Sequence, residues 1–139
     1  HLWQGRFHSA PMDDAHALAA VRYAERNPVR AKMTRAPWTY RWSSAAAHTG
    51  APGPAHLLDM QAWKQLAGGL NWKEALTRPE DKDVTAALRL STRIGRPLAG
   101  DSFLSKLEHK LNRRLRPLPV GRPKKVKPKS PPKKKKEQK

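Results

Sequence analysis

From Gly121 to Lys139 the chain carries ten Lys or Arg, four Pro and a single acid, Glu137. Almost nothing in that stretch is apolar, so it cannot bury enough surface to offset the entropy of ordering it, and a disordered Lys/Pro-rich basic tail over 119–139 is expected. Folding is thereby confined to the first 120 or so of the 139 residues, where most of the apolar 37% lies. That is enough for one modest helical core. Lys and Arg number 29 against 11 Asp and Glu, a formal charge of +18, and a chain so basic seeks a polyanion. With no cysteine, disulfides, thiolate zinc sites and a cysteine nucleophile are excluded, which suits a reducing cytoplasm. No apolar run approaches the roughly 20 residues of a membrane span, and no signal-peptide pattern opens the chain. A cytoplasmic protein without a membrane partner is expected. The first residue is His1 rather than Met, and HLWQGRF reads like the inside of a strand, so a piece of a longer protein is expected.

The pattern along the chain is mainly α. His1 to Ala10 alternates loosely around Leu2, Trp3 and Phe7 and suggests one short strand, ended by Pro11. Asp13 and Asp14 then offer N-caps for a helix through AHALAAVRYAER, which Pro28 should close near Asn27. PWTYRW, from Pro37 to Trp42, reads as an ordered connector packed across helices. TGAPGPA opens a Gly/Pro linker over 49–57. Helical patterns resume over Leu58–Leu66, with Asp59 as cap and Trp63 as the large apolar residue, and again over Trp72–Leu76. A longer helix is expected from Glu80 to about Arg93, with Val84, Leu88 and Leu90 toward its buried side and Gly95 as its stop. Asp101 or Ser102 should cap a last helix in which Phe103, Leu104, Leu107, Leu111 and Leu115 recur at helical spacing. These two helices, joined by IGRPLAG, have a helix-turn-helix outline within a helical, DNA-binding region expected over 58–118.

The stretch RYAERNPVRA, Arg22 to Ala31, bears most directly on chemistry. A helix turns about 100° per residue, so Tyr23 and Asn27 stack on one face with His16 on the same strip, while Leu18 and Val21 point elsewhere. A phenol on a rigid helix beside an amide oxygen suits attack on a phosphodiester, the amide being able to bind a hard divalent cation. A tyrosine that merely packs against a neighbouring element fits the same spacing.

HLWQGRF, an acidic helix start, RYAERNPVRA and PWTYRWSSAAAH together resemble, from His1 to about His48, the REP-associated tyrosine transposases, a branch of the IS200-like single-tyrosine family. Weaker agreement runs on through TRIGRPLAGDSFLSKLE and GRPKK. The resemblance implies that residues 1–48 form the C-terminal part of an α+β, ferredoxin-like transposase domain. It implies Tyr23 as the nucleophile that forms a 5′-phosphotyrosine link to one DNA strand, and Asn27 as a ligand of Mg²⁺ or Mn²⁺. It further implies single-stranded hairpins of palindromic repeats as substrate, a bacterial, nucleoid-associated setting, and admits a homodimer. The family's remaining metal ligands come from a His-hydrophobic-His motif. The six histidines, His1, His8, His16, His48, His56 and His109, include no pair separated by one residue, so this chain alone is expected to be inactive. A non-catalytic DNA-binding remnant of such a transposase is the rival expectation, and a basic RNA-associated protein a weaker third.

Arg6, Arg22, Arg26 and Arg30 are candidates for phosphate contacts, or simply for keeping a helix soluble. Trp3, Trp38, Tyr40 and Trp42 could stack on unpaired bases or belong to the core. Arg93 and Arg96, with Lys106, Lys110, Arg113 and Arg114, could form a duplex-facing surface, although paired helices are also ordinary scaffolding. Gly121, Arg122, Pro123, Lys124 and Lys125 are similar to an AT-hook core, for which salt-dependent phosphate attraction is the minimal expectation.

Overall fold

A computed structural model describes residues 9–53, 55–118 and 121 of the chain. Among them the architecture is mainly helical, as the sequence pattern predicts: six α-helices and two 3-10 turns, with a single isolated bridge between Met12 and Leu98 in place of a sheet. The expected strand falls mostly on residues outside the described range, as does nearly all of the basic tail, and Ser9 and Ala10 adopt no strand.

Helix α1, Asp14–Arg30, begins where Asp13 accepts from the His16 backbone N–H. Its first turn thereby gains a partner for one of its free amides. The sequence places its end near Asn27; α1 instead runs through Pro28 to Arg30. Proline removes one ladder bond and strains the preceding turn, but the Pro28 ring is buried and the Arg30 side chain is anchored on Glu80, so tertiary contacts hold the extra turn. Lys32, with φ +58, turns the chain away.

Residues 37–39 form a 3-10 turn and Ala45–His48 a short helix, α2, whose three alanines are buried. Small side chains let this connector lie close across α1. Helices α3, Met60–Ala67, and α4, Trp72–Thr77, follow, capped by Asp59 and Asn71. Ala45, Trp63, Trp72 and Leu76 form the core, with Leu18, Val21 and Trp38 packed against it. The 49–57 segment therefore does not separate two cores. Its Gly53 lies so close to α2 that an added Cβ would sit 2.9 Å from that of Ala46.

Helix α5, Lys82–Ile94, is capped by Asp81 and ends at Gly95, whose φ of +62 is accessible to glycine at little cost. Its buried side carries Leu88 and Ser91. Leu90, 49% exposed, faces away, because two residues from Leu88 is about 200° of rotation, and Val84 at 38% sits at the margin. Helix α6, Asp101–Leu111, starts at Gly100 without a side-chain cap, so neither Asp101 nor Ser102 plays the expected role. The Gly100 N–H goes instead to Asp13 Oδ2 at 2.7 Å, tying the start of α6 to the start of α1. Leu115 lies beyond the helix, since Glu108 accepts from the backbone N–H of Leu115 and Arg116 and folds the chain back.

Candidate functional site

Position 23 turns toward α5. There the Tyr23 phenolic oxygen accepts from Arg89 Nε at 3.2 Å, while the Arg30 guanidinium lies 4.3 Å from the centre of the Tyr23 ring. Tyr23 is half-buried and borders a hollow of about 420 Å³ with apolar walls of Met12, Ala20 and Leu88 and a polar edge of Tyr23, Arg89 and Arg93. The hydrogen bond to Tyr23 holds the Arg89 guanidinium further above its ordinary range. A phenol set between guanidinium groups at the mouth of a hollow can receive a phosphate, because Arg presents several donors in a fork that matches anionic oxygens.

Asn27 is exposed one turn on, and its Oδ1 accepts from Arg30 Nη1. That contact sets a positive charge beside the oxygen a cation would need. Among the described residues no three His, Asp or Glu approach closely enough to hold a metal ion. The groups around Tyr23 and Asn27 thus do not fit Mg²⁺ or Mn²⁺.

The other α1 arginines are engaged by protein. Arg22 donates to the carbonyls of Ala75, Arg78 and Pro79, at 2.7, 2.5 and 2.9 Å. Arg26 donates to those of Leu76 and Arg78 and to Glu80. Carbonyls at a helix C-terminus lack intrahelical donors, and these two side chains satisfy the end of α4. The Arg30 Nη2 donates to Glu80 Oε1 at 2.6 Å, and Arg30 and Arg26 together pull the Glu80 carboxyl below its ordinary range. As phosphate ligands, Arg22 and Arg26 would first have to give up the contacts that join α1 to α4.

On the second helical pair, Arg93, Lys106, Lys110, Arg113 and Arg114 are exposed. Arg96 donates to the Leu115 carbonyl at 2.8 Å and is half-buried, so it braces the chain after α6. Arg116 braces α6 itself through Glu108, Asp101 and Ser105. Arg6 and Trp3, and Arg122, Lys124 and Lys125 of the tail, lie outside the described residues. His16 rests on its own cap, with Nδ1 2.5 Å from Asp13 Oδ1, and does not extend the Tyr23 site. The connector aromatics divide: Trp38 packs on the core, whereas Trp42 is 76% exposed.

Sequence reasoning missed Glu25. Its side chain is 2% exposed, and its carboxylate accepts from Ser44 Oγ at 2.5 Å, His48 Nδ1 at 2.6 Å and Trp72 Nε1 at 2.7 Å. His48 also stacks on Trp63 at 3.8 Å between ring centres. A buried carboxylate is tolerated only when its lone pairs are met, and here three side chains from α2 and α4 meet them. The signal was spacing: Glu25 continues the stripe of Leu18 and Val21 at seven and four residues, a charge on the apolar face of α1. Comparison with protein-family models, with curated proteins and with solved structures gives no match to this chain.

Proposed function

We propose that this chain is the tyrosine-bearing part of a DNA strand transferase of the single-tyrosine transposase type, in which Tyr23 becomes linked to a DNA 5′-phosphate. The observation that carries the reading is the Tyr23 phenol held by Arg89 at 3.2 Å beneath the Arg30 guanidinium, at the edge of a hollow. In the step, the Tyr23 oxygen bonds to phosphorus and the bond from phosphorus to the 3′ oxygen breaks. The phenolic proton passes to water, and the departing 3′ oxygen takes one from water. Arg89 lies where it can neutralise the nonbridging oxygens as charge builds on them, while Arg30, held by Glu80, adds positive potential over the ring. The metal that the resemblance implies does not fit the residues present, and no step is assigned to it. The +18 charge draws the polyanion to the site. Single-stranded hairpins of palindromic repeats are the proposed substrate, and the bacterial cytoplasm the proposed setting. Among the described residues no helix is long and apolar enough to cross a membrane.

The test is a labelled hairpin oligonucleotide with a bridging sulfur at the 3′ position of the scissile bond, whose thiolate leaves without help. A covalent adduct with the chain, lost in Tyr23→Phe, is the expected result. Tight, salt-sensitive binding with no adduct would leave the second reading, a DNA-binding protein without catalysis, which the exposed Arg93, Lys106, Lys110, Arg113 and Arg114 favour.

A further inference from the structure

A second hollow, of about 400 Å³, opens between the end of α1 and the connector. Its walls include Pro28, Met33, Tyr40 and Trp42, and its polar rim includes Asn27 and Ser43. Trp42 and Met33 are unusually bare for large apolar residues, at 76% and 61% exposure. Arg41 lies over the Trp42 ring, 4.9 Å from its centre.

Burial alone gives no reason to keep an indole in water beside a cleft. A flat π-surface with a guanidinium on it, beside a hollow, is an arrangement with which proteins hold unpaired bases: the ring stacks and the cation meets the flanking phosphate. The bare indole, the amide and hydroxyl rim and the strong positive charge of the chain all agree with a nucleobase. A lipid or an acidic peptide would use the charge but not the aromatic face.

We infer that the hollow between Pro28, Met33, Tyr40 and Trp42 is a binding site for one unpaired base of a single-stranded nucleic acid, with Trp42 as the stacking surface. The inference rests on the nucleic-acid part of the proposed function and not on the chemistry of Tyr23. Asn27, at the rim of this hollow, thereby gains a role other than metal binding: its side chain can reach the edge of the stacked base.

The experiment compares the full chain with Trp42→Ala, Trp42→Phe and Tyr23→Phe for binding to a short oligothymidine and to a duplex of equal charge. Trp42→Ala should weaken oligothymidine binding about 5- to 150-fold, the range given by stacking energies of one base, with Trp42→Phe restoring most of it. Duplex affinity and the circular dichroism of the helices should be unchanged. Trp42→Ala should weaken oligothymidine binding by the same factor in a Tyr23→Phe background, which forms no adduct, so a failure of the catalytic reading leaves this result standing. Equal loss on both ligands, or no loss on either, overturns the inference. So does unaltered binding accompanied by loss of self-association in sedimentation, which would make Trp42 a contact between copies of the chain.

Discussion

Tyr23 and Arg89, 66 residues apart in sequence, meet through a single hydrogen bond of 3.2 Å from the guanidinium Nε to the phenolic oxygen. The bond brings α5 onto the face of α1 that carries the candidate nucleophile, and it places a fixed positive charge at the one atom proposed to attack phosphorus. Arg89 is exposed, so its removal should be felt by a ligand far more than by the fold. Arg89→Gln is expected to leave the urea midpoint of unfolding essentially unchanged, as for exposed polar pairs. The slope of log affinity against log salt for a single-stranded oligonucleotide should shrink by about 0.7, one phosphate contact. An unchanged slope would remove Arg89 from the phosphate site.

Arg26 predicts the opposite balance. Its guanidinium satisfies the Leu76 and Arg78 carbonyls and pairs with Glu80, contacts that belong to folding. Arg26→Ala should destabilise the chain by about 1–3 kcal/mol, the usual cost of orphaning such groups. Arg93→Ala, at an exposed position, should cost less than about 0.5 kcal/mol. Urea unfolding of the two variants side by side separates a structural arginine from one free for ligand, and equal costs would refute the distinction.

At Glu25, where three donors converge on a carboxylate 2% exposed, truncation leaves the Trp72 indole, the Ser44 hydroxyl and His48 without an acceptor. Glu25→Ala should therefore cost about 3–5 kcal/mol, in the range for removing one member of a buried charged network. Glu25→Gln keeps the volume and one acceptor oxygen and should cost less. Near-equal melting temperatures for wild type and Glu25→Ala would show that the network contributes little.

Asp13 supplies a pH dependence. Hydrogen bonds from the Gly100 and His16 backbone N–H groups, and from the His16 ring, lower its pKa from 3.8 to about 2. A carboxylate whose folded pKa is depressed adds stability that is fully present above its unfolded pKa and is lost as pH falls through the folded one. The difference in stability between wild type and Asp13→Ala should be about 1 kcal/mol at neutral pH, typical of a lost N-cap. It should narrow below pH 4 and largely vanish near pH 2. Thermal melts across that range check it, and a gap that stays constant with pH would mean that the cap acts through the neutral acid.

Much of the local structure was legible because it depends on near neighbours. Asp13, Asp59 and Asp81 accept from amides two or three residues ahead, and Gly95 ends α5 through its own backbone freedom. Asn71 does for α4 what Asp59 does for α3. None of these needs a distant partner, so a short window of sequence contains the cause. The helical class, the Trp63 core position and the orientation of Leu18 and Val21 away from Tyr23 follow in the same way, from periodicity alone.

The remainder was decided in three dimensions. Nothing adjacent to Pro28 indicates that α1 survives it; the buried ring and the Arg30–Glu80 pair, 50 residues apart, make it so. Arg22 and Arg26 look from sequence like free cations, yet they became the caps of α4, because orphaned carbonyls at that helix end lie within their reach. Trp38 and Trp42 are equivalent in PWTYRW, and only the turn between them packs one partly against the core and exposes the other. Caps and periodicity act over a few residues, where the chain itself supplies both partners. Charge pairing, burial of Glu25 and the choice of which aromatic faces water depend on groups brought together by packing, and packing is a property of the whole fold.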